Sequence, residues 1–317
     1  MKKHKICKIL LVILAIFLCV AFYELLGICV AYKKQPEVSN TTKKETKNGS
    51  WNECSENTER AVIIEKNPEA LLQRVRLIKN AKKEIILSTF AFQSDESGKL
   101  ILGALHDAAD RGVHIRLLVD GMESWIDMEG NPYFYGLSSH ENVEIKLYNK
   151  ANPLKPWKMM GRMHDKYLIA DGKTYILGGR NTYNYFLGDF PGHKNYDRDV
   201  LVVCDEPEKE NSVNQLLEYF ETIWEQEDSG YFHDNKKLAN RKSVKNAVLE
   251  LQNGYQKYFE ENKERICDTD YTDETFETEK IALVSNPIHT GSKEPVVWYQ
   301  LGELMKNAKN RVKIHTP

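Results

Sequence analysis

The stretch His164-Asp-Lys-Tyr-Leu-Ile-Ala-Asp171, followed after six residues by Gly178-Gly-Arg-Asn181, decides how this chain is read. Lys166-Tyr-Leu-Ile-Ala and Thr174-Tyr-Ile-Leu flank Asp171-Gly172-Lys173, which makes the segment a β-hairpin with an Asp-Gly turn. His164 and Lys166 stand two apart on an extended chain, so both side chains leave the same face of the sheet. An imidazole and an ammonium are thereby offered together to one anion. A histidine with its ordinary pKa of about 6.5 is neutral and nucleophilic near pH 7. The ammonium can offset the charge on the non-bridging oxygens of a phosphate. Asp171 is read as ordering the loop and the imidazole. Gly178 and Gly179 are read as clearing side chains where a substrate approaches the backbone, and Asn181 as a donor to a phosphate oxygen or to the loop. Six specified positions at about one in twenty each would coincide by chance in roughly one such chain in a hundred thousand, so an accidental His-Lys pair is set aside.

Working outward, the segments before the hairpin alternate between strand and helix. Ala61-Val-Ile-Ile is a short apolar strand, and Asn67-Pro68 caps a helix running to about Lys82. Glu84 to Phe92 reads as a strand, Gly98 to Arg111 as a helix stopped at Gly112, and Val113 to Asp120 as a strand. Strand, helix and strand in succession imply a parallel sheet with covering helices. Val143 to Tyr148 adds a strand before the hairpin, and Val200 to Cys204 with an amphipathic helix over Val213 to Trp224 closes the unit. A further helix is expected near Val244 to Phe259.

With these residues in view, the chain resembles the phospholipase D superfamily, whose pattern is H-x-K-x-x-x-x-D followed by G-G-x-N, and within it is most similar to the bacterial cardiolipin synthase branch. Gly98 to Gly121 resembles that family's helix, Gly-Val and strand ending in Asp-Gly. Asn142 to Asn149 resembles the strand before the motif, and Tyr196-Asp-Arg-Asp199 its aromatic-x-Asp segment. The resemblance implies an α/β phospholipase D fold, with a mixed, mostly parallel sheet flanked by helices. It also implies two such halves sharing one site, a covalent phosphohistidine, a second histidine as general acid, and neither metal nor cofactor. Carried onto this chain, the catalytic residues are His164, Lys166 and Asp171, with Gly178, Gly179 and Asn181 binding substrate.

A second motif of this kind is absent from the sequence, since His193, His233, His289 and His315 have no lysine two residues on. One imidazole cannot easily serve as both nucleophile and leaving-group acid when the two must flank phosphorus in line. Leu77 to Thr89 aligns with Leu304 to Thr316, matching at six of 13 positions, and Ile281-Ala-Leu-Val echoes Ala61-Val-Ile-Ile. The expectation is one complete repeat plus the start of a second, in a chain truncated inside that second repeat. The missing half-site then comes from a C-terminal repeat or from a homodimer partner.

Four Lys (Lys2, Lys3, Lys5 and Lys8) precede an apolar run from Ile9 to Tyr32 that Glu24 alone among charged residues breaks. At ~1.5 Å per residue that run makes about 36 Å of helix, enough to cross a bilayer. A cleaved signal peptide is the alternative, and the length of the run favours a retained anchor. The layout expected is anchor 1–32, polar stalk 33–59, catalytic half 60–228, connector or insert 229–280, and second-repeat start 281–317. The anchor makes this a single-pass cell-membrane protein, its N-terminus inside and its catalytic domain outside by a weak positive-inside preference.

Composition narrows the function. The whole chain has 317 residues and a net charge of −2, and beyond the anchor 40 basic face 45 acidic groups. That balance disfavours nucleic acid as a partner, because a nucleic-acid footprint needs excess Lys and Arg. Cys54, Cys204 and Cys267 lack metal-type spacing, and the acidic tract from Asp268 to Glu279 lacks the glycine and ligand spacing of a calcium loop. His106 and His114 fit structural roles better than ligation. Trp125, Trp157, Tyr183, Tyr185 and Phe186 are read as core packing before a lipid pocket. The function expected is a membrane-anchored phosphatidyltransferase or phosphodiesterase acting on glycerophospholipid. The alternatives are a nucleic-acid phosphodiesterase and an inactive, membrane-tethered half-enzyme that binds.

Overall fold

Capped helices and apolar strands alternate along the chain as the sequence suggests. The computed structural model describes residues 2–49, 59–206, 211–233 and 235–314. The end of the expected stalk (50–58) and the last residues of the repeat match (His315 and Thr316) lie outside the described residues. The apolar run forms helix α1 (Lys2–Ala31), and part of the polar stretch forms α2 (Asn40–Asn48). After these come β1 (Glu59–Ile64), α3 (Asn67–Asn80), β2 (Glu84–Thr89), α4 (Glu96–Asp110) and β3 (His114–Asp120). Two short helices, α5 (Gly121–Asp127) and α6 (Pro132–Ser138), lead to β4 (Val143–Tyr148). The hairpin is β5 (Lys166–Ala170) and β6 (Thr174–Gly178), followed by β7 (Asp199–Cys204) and α7 (Ser212–Trp224). The rest comprises β8 (Ser229–Tyr231), α8 (Lys242–Glu261), α9 (Lys263–Cys267), β9 (Phe276–Glu277) and α10 (Val296–Asn307).

One mixed sheet runs in the order β8-β4-β3-β2-β5-β6-β7-β1-β9, with helices on both faces. Its parallel share is smaller than expected: β2 with β3 and β3 with β4 are parallel, and the other pairings are antiparallel. The reason is connectivity. Helical crossovers deliver β3 and β4 in parallel, whereas the tight turn of the hairpin can only join antiparallel strands, and β2 accepts β5 on its free edge in that sense. Asp171 at φ 54° and Gly172 at φ 64° form the turn, as the Asp-Gly pair predicts.

Four places depart from the sequence reading. Asn67 is not the cap of α3: Lys66 holds that position, while Asn67 accepts from Arg180 Nε at 3.1 Å and donates to Asn195 O at 2.8 Å. Within the expected stalk, Thr42 and Thr46 of α2 are buried, and Glu294 accepts from the Ser39 N–H at 2.8 Å and the Thr42 hydroxyl at 2.7 Å. Within the expected connector, Leu251, Tyr255 and Phe259 of α8 and Ile266 of α9 join the main core. Residues 281–284 form no strand, and Ile281 and Leu283 instead pack on the core beneath α7.

Candidate active site

The site forms where β2 and β3 end and β5 begins, at the carboxyl end of the parallel strands, where open α/β sheets place their crevices. Asp120, 1% exposed at the end of β3, anchors it. Its carboxylate caps α5 by accepting from Met122 N at 3.0 Å, accepts from Met163 N at 3.0 Å, and holds Arg162 Nε at 2.9 and 3.0 Å in a fork that also takes Arg162 Nη2. The chain entering β5 is thereby fixed at two successive residues just before His164.

From that point side chains alternate. His164 and Lys166 share one side with Phe90, which follows β2: the His164 ring meets Phe90 edge-to-face with centroids 4.7 Å apart, and Lys166 Nζ lies 5.3 Å from the Phe90 centroid. Asp165, between them, accepts instead from the Tyr219 hydroxyl at 2.7 Å. His164 is exposed, whereas Lys166 is buried and donates to His164 O at 2.7 Å. Burial, and next the nearby Lys166 charge, hold the His164 imidazole below its ordinary value of 6.5. Burial pulls the Lys166 ammonium down to about 8, against the opposing pull of Asp165 and Asp197. At neutral pH the pair therefore presents a neutral imidazole beside a mostly charged ammonium.

The other expected residues are placed differently. Asp171 does not reach the imidazole. It lies at the far end of β5, about 16 Å of strand from Lys166, and accepts backbone N–H groups from Lys82, Lys83 and Glu84 at 2.8, 2.7 and 3.0 Å. Gly178 lines the cleft, but the space its missing side chain leaves is filled by protein: a Cβ there would stand 2.1 Å from Asp199 Oδ1, and one on Gly179 would stand 1.9 Å from Asp197 Oδ2. Asn181 accepts from Ala91 N at 3.1 Å and so pins the backbone beside Phe90. Behind these glycines, buried Asp199 pairs with Arg74 at 2.9 Å and Arg180 at 3.2 Å.

A cleft of about 370 Å³ opens over His164 and Lys166, bounded by Arg162, Tyr219, Asn286 and Lys293. It presents cations around one exposed imidazole, an arrangement suited to a phosphate ester. A family profile described as "Cardiolipin synthase, PLD-like domain" matches residues 74–224. Residues 74–224 are thus similar to a phospholipase D-like domain. Over 212 residues, 62% of this chain and 39% of the relative, it is 30% identical to an uncharacterized protein of Helicobacter pylori strain J99. It is 29% identical over 171 residues to cardiolipin synthase C of Escherichia coli K12, covering 50% of this chain and 34% of that protein. The chain thus spans well under half of the curated relatives it matches. The crystal structure of Nuc, a phospholipase D family member from Salmonella typhimurium, superimposes with a TM-score of 0.40 at 20% identity, covering 56% of this chain and 99% of that one.

Four groups in this phospholipase D-like site escape a reading of the motif alone. Arg162 had a signal, because it continues the alternation of His164 and Lys166 backwards by two. Phe90 and Asp120 sit at strand ends in distant sequence, and nothing in the hairpin points to them. Lys293 comes from the segment after residue 280; burial lowers its pKa, with Asp165 opposing. Among the described residues, His164 is the one histidine lining the cleft.

Proposed function

We propose that the chain is a membrane-anchored phosphodiesterase or phosphatidyltransferase that acts on glycerophospholipid through a phosphohistidine at His164. The observation that carries this reading is the shared position of His164 and Lys166 beside Phe90 at the mouth of one cleft. A nitrogen of the neutral imidazole bonds to phosphorus as the bond from phosphorus to the leaving alcohol oxygen breaks, and that oxygen takes a proton from a general acid. Water or a second lipid hydroxyl then gives its proton to the conjugate base of that acid and bonds to phosphorus as the phosphorus–nitrogen bond breaks. Lys166, with Arg162 and Lys293 at the rim, offsets the charge on the non-bridging oxygens. With His164 as the nucleophile, the leaving-group acid is supplied by a second half-site, from another copy of this chain or a further repeat.

Helix α1 supports lipid as the substrate: residues Lys5–Ala31 are long and apolar enough to cross a membrane and carry exposed apolar side chains. The anchor keeps the cleft within reach of headgroups. The test is intact mass after a short pulse with phosphatidylglycerol vesicles, alongside headgroup release. A phosphatidyl adduct in the wild type and its loss in His164→Asn are expected. Cleavage of single-stranded DNA with no action on lipid would replace lipid by nucleic acid, and absence of any adduct with bound lipid would leave a binding module.

A further inference from the structure

The loop between β4 and the His164 strand is built in an unusual place. It packs on the C-terminal turns of α1: the Tyr23 hydroxyl donates to Leu154 O at 3.0 Å, and a Cβ on Gly27 would stand 2.5 Å from Pro156 Cγ. A hydrocarbon core of ~30 Å occupies about 20 residues of helix, so counting from Ile9 it ends near Ile28 and leaves Tyr23 about 8 Å inside that boundary. Whatever touches Tyr23 and Gly27 is therefore carried to the outer part of the bilayer, at and just within the boundary between hydrocarbon and headgroups. The side chains the loop turns outward suit that position. Leu154, Trp157 and Met160 are 77%, 46% and 58% exposed, a costly display of apolar surface in water, and Lys150 and Lys155 accompany them. Tryptophan and lysine are the residues that settle at a headgroup boundary.

The loop is also held firmly. Asn149 Nδ2 donates to both Lys158 O and Gly161 O at 2.7 Å, and the Tyr32 hydroxyl, just past α1, donates to Thr290 O at 2.9 Å, beside Gly161. Only three residues separate Met160 from His164.

We infer that residues 150–160 are a membrane-docking surface: Leu154, Trp157 and Met160 enter the headgroup boundary of an anionic phospholipid bilayer beside α1, and this sets the His164 cleft against the lipid surface. The inference rests on the membrane-anchored reading above and adds which face meets the bilayer. α1 alone would leave the domain free to tumble on its tether. A docked loop fixes the height of the cleft and lets a headgroup enter without leaving the membrane.

The test uses the full chain reconstituted in vesicles of phosphatidylglycerol and phosphatidylcholine, with part of the lipid brominated on the acyl chain near the headgroup. Bromine quenches tryptophan only at short range. The quenched share of the emission is expected to fall in Trp157→Phe, and Leu154→Trp is expected to add emission that is quenched. Equal quenching in the wild type and Trp157→Phe, together with unquenched added emission from Leu154→Trp, overturns the docking surface. Flotation of the same vesicles reports the anchor separately, and a chain that does not float overturns both. The optical readout needs no turnover, so a catalytically silent chain that docks is told apart from an active one that does not.

Discussion

The ring of Phe90 stands edge-to-face against the imidazole of His164, 4.7 Å between centroids at an interplanar angle of 61°. Phe90 also lies beneath Arg162 and Lys166, each 5.3 Å from its centroid. One aromatic side chain thus fixes the imidazole and helps desolvate it. Phe90→Ala is expected to lower kcat about tenfold, equivalent to ~1.4 kcal/mol. The acidic limb of its pH profile should also move up toward the ordinary histidine value. Steady-state kinetics on phosphatidylglycerol check this, and an unchanged limb with unchanged kcat would remove Phe90 from the site.

Turnover by this pair needs His164 neutral and Lys166 charged. The rate is therefore expected to rise through a limb below pH 6.5 and to fall through one near pH 8. Lys166→Arg should carry the alkaline limb upward, because a guanidinium keeps its proton. A profile flat from pH 7 to 9 in the wild type would contradict the role given to Lys166.

The same depressed ammonium has a stability consequence. Lys166 binds its proton less tightly folded than unfolded, so between pH 8 and 10.5 the unfolded chain holds more protons and stability rises with pH. Below pH 8 the buried charge costs its full amount. Lys166→Met should raise stability at neutral pH by about 1–3 kcal/mol while abolishing turnover. Urea denaturation at pH 7 and pH 10 measures both ends of this difference.

Asp171 is expected to matter for folding and not for chemistry. Its carboxylate satisfies the N–H groups of Lys82, Lys83 and Glu84 at the α3–β2 turn. Asp171→Ala should cost about 2–3 kcal/mol in unfolding experiments, with kcat per folded molecule within about twofold of wild type. A kcat loss as deep as that of His164→Asn at intact stability would return Asp171 to the reacting centre.

Asp199 tests the support beneath Gly178. It offsets two buried guanidiniums, Arg74 and Arg180. Asp199→Asn leaves those charges uncompensated and should destabilise by about 3–5 kcal/mol. Thermal unfolding of the variant against Arg198→Gln, an exposed neighbour, separates this from a general effect of lost charge in the segment.

Much of this protein was legible in its sequence, for a local reason. Strand alternation puts His164 and Lys166 on one face whatever surrounds them, the Asp-Gly pair dictates the turn at Asp171, and a long apolar run interrupted by a single charge, Glu24, dictates α1. These depend on residues within a few positions of each other, so spacing alone determines them. What the sequence left undecided depends on contacts between distant residues. Its motif set Asp171 beside His164 in text, yet an extended strand carries the two to opposite ends of the sheet. The glycines that suggested room for substrate make room for Asp197 and Asp199, because β6 and the segment entering β7 approach there. Phe90 follows β2, Asp120 ends β3 and Lys293 precedes α10, and only tertiary contacts between these distant stretches gather them around the imidazole. Tertiary structure decided the surroundings of the reactive pair because burial and charge at His164 and Lys166 are set by neighbours that no spacing rule connects.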